Sequence, residues 1–137
     1  MFIPILIFLV GATFGAPVVP MPVAGEAAIQ QPVNKRPIET LVDEHFAEMP
    51  ILIDIARCES QIRHFDSAGA VLRGEINSDD IGVMQINTRY HQGDADELGI
   101  DIYSLDGNLE YAKYLYEKQG VRPWKASMPC WGKIAQK

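Results

Sequence analysis

Apolar residues recur along this chain at helical spacing in some stretches and lose that spacing in others, and the changes mark out its elements. Ile38, Leu41, Val42, Phe46 and Met49 fall on one face at 3.6 residues per turn, which predicts an amphipathic helix over IETLVDEHFAEM. Pro50 ends it and suits the first turn of a second helix, where a missing N–H costs nothing. In that second helix, PILIDIARCES, Leu52, Ile55 and Ala56 stand seven, four and three residues before Glu59, offsets that share one face. From Phe65 to Asp80 the helical pattern stops. DSAGAVLRGEINSDD has turn formers at both ends and short apolar pieces between, which predicts a small β-hairpin or loop subdomain. IGVMQINTRYH reads as a strand end running into a helix, and DADELG as a short helix that starts at Asp94 or Asp96 and closes at Gly99. The last clear helix is NLEYAKYLYEKQG, with Asn108 as N-cap, Leu109, Ala112 and Leu115 inward and Gly120 at its end. The expected class is α+β, mostly α, with the small β element after the second helix.

The first third of the 137 residues does not read as folded core, so composition points to one small domain. Residues 1–16 are apolar and uncharged, and small residues follow, as in a secretory signal. No Lys or Arg precedes the run and Pro4 interrupts it; an uncleaved membrane anchor is the alternative, although the run is short of the ~20 residues that span a bilayer. Residues 17–37 carry Pro17, Pro20, Pro22, Pro32 and Pro37 among Ala, Val and Gln, a tether rather than a helix or a central strand. The folded domain is expected over 38–137, as a monomer in an exported or envelope-bound protein. A formal net charge of −6 argues against a nucleic-acid partner, since binding phosphates normally needs a basic patch.

Candidate chemistry begins with Glu59 on the apolar stripe. Burial there would raise the carboxyl's pKa, and the negative end of the helix macrodipole would push the same way. A carboxylic acid that keeps its proton near neutral pH is what general-acid cleavage of a glycosidic bond requires. The plainer reading is a structural glutamate paired with Arg57 or Arg63, or one turned to solvent. Downstream, Gly82 lets backbone approach closely and Val83, Met84 and Ile86 can pack inward. Gln85 and Asn87 are then left to present amides, groups that read sugar hydroxyls and N-acetyl carbonyls. Asp79 and Asp80 read equally well as solvated turn residues. Cys58 and Cys130 are an even pair in a chain that reads as exported, so a disulfide is expected, closing a loop of about seventy residues worth ~4 kcal/mol; two free thiols in a cytosolic protein are the competing reading. His45, His64 and His91 have no metal-ligand spacing with the cysteines, and no metal or other cofactor is expected.

CES followed by GVMQIN resembles the Glu-Ser and Gly-Leu-Met-Gln-Ile signatures of lytic transglycosylases with an SLT-type domain, and NLEYAKYLYEKQG is similar to their downstream Asn…Ala…Tyr-Leu helix. SDDIGVMQIN resembles the Asp-Tyr-Gly-Ile-Leu-Gln-Ile-Asn stretch of c-type lysozymes, and CES with a late cysteine near tryptophan is similar to the resuscitation-promoting factors. The resemblance is to the lysozyme-like superfamily and runs from Leu52 to Trp131. It implies a lysozyme-like fold and cleavage of the β-1,4 bond between N-acetylmuramic acid and N-acetylglucosamine in peptidoglycan glycan strands. Glu59 becomes the general acid and base, Ser60 its polar neighbour, and Asp80 the counterpart of the lysozymes' second carboxylate. Gln85 and Asn87 become sugar contacts, and Tyr111 or Tyr114 an aromatic wall or hydroxyl there, although each tyrosine reads first as core packing. The late Ala-Tyr-Asn segment of many SLT enzymes is missing; RPWKAS stands in about that region, with Trp124 as its candidate contact. The lysozymes' dense cysteine framework is missing too. Two other classes stay open: a lysozyme-like module that binds glycan or a partner without catalysis, and a component of a phage tail or secretion channel.

Overall fold

The computed structural model describes residues 36–136. The expected leader or anchor at 1–16, the tether up to residue 35 and Lys137 lie outside the described residues. Helix α1 spans Ile38–His45 and α2 Pro50–Ser60, with Pro50 in its first turn. Strands β1 (Asp80–Ile81) and β2 (Ile86–Asn87) pair antiparallel, Asp80 opposite Asn87 and Ile81 opposite Ile86. Then come α3 (Thr88–Glu97), α4 (Leu105–Gln119), a 3-10 helix over Arg122–Ser127 and α5 (Met128–Ile134). The described part is mostly helical with one small antiparallel sheet, the α+β class expected from the spacing. Between α2 and β1 the chain makes only isolated bridges, Phe65 to Val71 and Arg73 to Ile81, so of the hairpin or loop expected there it is largely loop. No described helix is long and apolar enough to cross a membrane.

Three boundaries differ from the sequence reading, each for a local reason. Helix α1 stops at His45, and Phe46 turns into the core with no exposure at all. Helix α3 starts at Thr88, not at Asp94 or Asp96: Asn87 is its N-cap and accepts a hydrogen bond from the Tyr90 amide at 3.3 Å. Its apolar signal is weak because only Ala95 is buried; Gly99 does follow its end, at φ +69°. Helix α4 starts at Leu105, capped by Ser104, whose hydroxyl accepts from the Gly107 amide at 3.0 Å. Asn108 is therefore not the N-cap. It is a wholly buried side chain in the first turn.

That asparagine belongs to a clamp on the GVMQ loop between the two strands. Its amide donates to the carbonyls of Ile81 (3.1 Å) and Ile102 (2.9 Å), and its oxygen accepts from Met84 N–H (3.0 Å). His64, also fully buried, accepts from Val83 N–H through Nδ1 (3.2 Å) and donates through Nε2 to the Tyr103 carbonyl (2.9 Å). The Ser60 hydroxyl lies 2.8 Å from the Val83 carbonyl, and Trp124 Nε1 donates to the Met84 carbonyl at 3.0 Å. A loop whose side chains Val83 and Met84 are buried cannot give its backbone to water, so side chains from α2, α4 and the 3-10 helix satisfy it. Around it, Leu52, Ile55 and Ala56 of α2 and Leu109, Ala112 and Leu115 of α4 form the core stripes expected from their spacing. The Cys58–Cys130 disulfide joins the last turn of α2 to α5, with the two Cα atoms 6.0 Å apart.

Gly82 is wedged in the clamp at φ +72°, and a Cβ there would meet Asn108 Nδ2 at 2.6 Å and His64 Cε1 at 2.7 Å. Gly82→Ala is expected to cost about 2–4 kcal/mol, from strain at positive φ and the broken clamp. Asn108→Ala is expected to cost about as much, because it strands the buried Met84 N–H. Chemical denaturation of both variants against the wild type checks this, and a loss under about 1 kcal/mol in both would contradict the clamp.

Candidate active site

Glu59 occupies the last turn of α2, and the two residues after Ser60 lock that turn in place. Gln61 (φ 56°) and Ile62 (φ 55°) are successive left-handed residues, although neither is glycine. They reverse the chain at once, and Ile62 N–H returns to the Ala56 carbonyl at 3.3 Å. Such conformations cost on the order of 1–3 kcal/mol each and persist where surrounding contacts enforce them. Here the enforcing contacts are the Ser60 bond to the GVMQ loop and the neighbouring disulfide at Cys58. A third left-handed residue, Gln85 at φ 49°, faces the same groove.

Glu59 is half-buried rather than wholly in the core; Ser60, one residue on, takes the fully inward position. Neither expected partner pairs with it. Arg57 bonds Glu39 at 3.2 Å, and Arg63 donates to the Ser60 carbonyl at 3.1 Å. The group that does reach it is Ser127, whose hydroxyl donates to Glu59 Oε1 at 2.6 Å. Burial raises the Glu59 pKa above the ordinary value, the Ser127 hydrogen bond pulls it back in part, and the charge on Asp80 pushes it up again. Ser127 Oγ also lies 3.1 Å from the Trp124 carbonyl. With one hydrogen and two acceptors, the hydroxyl can serve both protonation states. It donates to a Glu59 carboxylate, or it turns to Trp124 and accepts the proton of a Glu59 carboxylic acid.

Two lobes of one groove meet at this carboxyl. A lobe of about 510 Å³ runs between the end of α2 and the 72–77 loop, and another of about 320 Å³ runs between the strands, α3 and the 3-10 helix. Glu59, Asp80, Gln85 and Asn77 line both. Asp80 is held by Asn87, whose amide donates to Oδ1 at 2.7 Å across the strand pair. Gln85 donates to the Gly82 carbonyl at 2.8 Å, which fixes its amide plane. Gly74 lets the outer loop close on it: a Cβ there would lie 2.9 Å from Gln85 Oε1. The smaller lobe has Trp124 at its wall and Tyr90, which is 73 % exposed, at its edge. Its His91 imidazole is kept toward the neutral form by burial.

So Glu59, Asp80, Gln85, Asn87 and Trp124 come together along one groove. Ser60 borders the larger lobe, but its hydroxyl is spent on the Val83 and Ala56 carbonyls and not on Glu59. Tyr111 and Tyr114 lie apart from both lobes. Tyr111 is fully buried, its hydroxyl 3.3 Å from His91 Nδ1, its pKa pushed up to about 12 chiefly by burial. Tyr114 packs against it and carries Lys118 over its ring, so of the two readings open to these tyrosines the structure has the core one, not the aromatic wall. Residues missed by the sequence reading are Ser127, Tyr90, His91 and Asn77. Ser127 had a signal: it stands three residues before Cys130, whose expected partner adjoins Glu59. No family model, curated protein or solved structure matches the chain.

The balance at Glu59 has two expected outcomes. Ser127→Ala removes the bond that favours the carboxylate, so the Glu59 pKa moves further up; a carbon-13 NMR titration of the side-chain carboxyl reads the shift, and a downward move would contradict the assignment. The second concerns stability. A carboxyl whose folded pKa exceeds its unfolded one favours folding fully only below the unfolded value of about 4.5. That contribution is lost as pH rises through the folded pKa. Relative to wild type, Glu59→Gln should therefore gain stability as pH rises from about 4 to about 8, read from thermal unfolding across that range.

Proposed function

We propose that this protein is a peptidoglycan-cleaving glycosidase with a lysozyme-like fold, of the lytic transglycosylase or muramidase type. Its bond is the β-1,4 linkage between N-acetylmuramic acid and N-acetylglucosamine. The observation that carries the reading is one half-buried carboxyl, its pKa raised by burial, at the point where two lobes of a groove meet, with a second carboxylate, Asp80, lining both lobes. Glu59 gives its proton to the glycosidic oxygen as the bond from the anomeric carbon breaks, so the leaving sugar departs as a neutral alcohol. Positive charge grows at the anomeric carbon, and Asp80, fixed by Asn87, supplies the facing negative charge. Glu59, now ionised and steadied by Ser127, takes a proton back from the group that completes the reaction. That group is water in hydrolysis or the sugar's own 6-hydroxyl in transglycosylation. The amides of Gln85, Asn87 and Asn77 offer hydrogen bonds to hydroxyl and N-acetyl groups along the strand. The disulfide supports export to an oxidising compartment such as the cell envelope or the medium.

Isolated sacculi incubated with the wild type and with Glu59→Gln give the test. Muropeptide release is expected to fall about 10²–10⁴-fold in the variant while sedimentation with sacculi persists. Equal release by both proteins would remove Glu59 from the mechanism, and binding without release from either would favour a non-catalytic glycan-binding module. Mass spectrometry of the products separates hydrolysis from transglycosylation, because an anhydro product lacks one water.

A further inference from the structure

The two lobes that meet at Glu59 differ in chemistry. The smaller one is lined by amides and aromatic groups, Gln85, Asn87, Tyr90 and Trp124, and carries no lysine or arginine. The larger one carries two arginines, Arg63 and Arg73. Each is fixed by a single bond to backbone: Arg63 Nε donates to the Ser60 carbonyl at 3.1 Å, and Arg73 Nη1 to the Ser78 carbonyl at 2.8 Å. Neither forms an ion pair among the described residues, whereas Arg36 and Arg57 both do. A guanidinium has five N–H donors, so each keeps most of its fork free for a ligand. In a chain of net charge −6, the larger lobe thus brings two guanidiniums into one groove, with Glu75 in the same lining, while the smaller lobe has no such cation. Carboxylates are what such forks bind with the best geometry, often through two parallel bonds.

We propose that Arg63 and Arg73 are specificity determinants that bind the acidic substituent of a glycan, so that the larger lobe takes the carboxylate-bearing sugar and the smaller lobe its neutral neighbour. This rests on the glycan-cleaving reading and deepens it. In peptidoglycan the acidic group is the lactyl carboxylate of muramic acid or the stem peptide attached to it. Tyr90, largely exposed at the edge of the smaller lobe, suits the neutral N-acetylglucosamine, whose apolar ring faces pack on aromatic groups and whose N-acetyl group meets amides; Trp124 is buried in the wall behind. The groove would then read the alternation of the polymer and set which of its two linkages lies over Glu59.

Binding measured in the Glu59→Gln background tests this apart from catalysis. The probes are peptide-free strands of alternating N-acetylglucosamine and N-acetylmuramic acid, the same strands with the lactyl carboxylates converted to methylamides, and the neutral oligomer chitohexaose. Carboxylate strands are expected to bind about tenfold more tightly than the amidated ones, a preference that weakens with added salt. Adding Arg63→Gln and Arg73→Gln should erase that preference and leave chitohexaose affinity unchanged, while Arg63→Lys with Arg73→Lys restores it in part. A preference that survives the glutamine pair, equal loss on charged and neutral probes, or no binding of carboxylate strands would overturn the inference. Absence of muropeptide release by the wild type, with the charge preference intact, would instead overturn the catalytic reading alone.

Discussion

The whole site depends on how a buried loop has its backbone hydrogen bonds satisfied. Ile81 at the end of β1 and residues 82–84 after it are buried, and the two strands are too short for a sheet ladder to serve their N–H and C=O groups. Four side chains from different parts of the chain do so instead: Ser60, His64, Asn108 and Trp124. Each bond is individually modest, about 1 kcal/mol net, but leaving any of these buried groups unpaired costs about 1–3 kcal/mol. That asymmetry makes the loop a junction. It ties α2, α4 and the 3-10 helix to one another, and the groove residues Asp80, Gln85 and Asn87 stand on either side of it.

Glu59 gets its properties from the same junction. Ser60 anchors the end of α2 to Val83, and Trp124, anchored to Met84, carries Ser127 three residues later to the carboxylate. The acid and the hydroxyl that tunes it are thus fixed against neighbouring carbonyls of one loop. The disulfide adds a second tie between the same two segments, from the residue before Glu59 to the residue three after Ser127. Their separation is therefore set twice, once by hydrogen bonds through the loop and once covalently. His64 adds a condition of its own. Its Nδ1 accepts from Val83 while Nε2 donates to Tyr103, an arrangement open only to the neutral ring. Burial keeps its pKa below the ordinary value, so the clamp's contribution is full above about pH 6.5 and is lost as pH falls through the lower folded value.

Much of the fold was legible because it rests on local rules. The stripes of α1, α2 and α4, the proline break at 50, the glycine ends at 99 and 120 and the Cys58–Cys130 pairing all come from spacing, backbone freedom and cysteine number. Side chains with two workable uses were not legible. Asn108 has the residue type of an N-cap, and only the tertiary structure reveals that Ser104 caps the helix while Asn108 serves the buried loop. Asp94 and Asp96 were equally good caps by type, but Asn87 starts the helix well before them because the strand pair delivers it there. Tyr111 and Tyr114 could have faced the groove or the core; the turn of the helix places Tyr111 inward and Tyr114 against it. The left-handed pair Gln61–Ile62 gave no signal at all, since neither residue type favours that conformation.

Those left-handed residues connect stability to the site. Among the described residues the three other than glycine, Gln61, Ile62 and Gln85, all lie at or beside the groove, and so does the desolvated carboxyl of Glu59. Each of these features opposes folding, the backbone ones by on the order of 1–3 kcal/mol apiece. A domain of roughly a hundred residues has only about 5–15 kcal/mol of net stability from which to offset them. A crosslink that closes a loop of this length contributes about 4 kcal/mol, mostly by restricting the unfolded chain. Placed beside Glu59, it does more than add to the total, because it restrains the very helix end where the strain is concentrated. A crosslink elsewhere could supply similar stability, but the turn at Gln61 and Ile62 would then be held by the Ser60 bond to Val83 without the covalent tie at Cys58. Position, rather than strength, is what makes this disulfide matter to the chemistry.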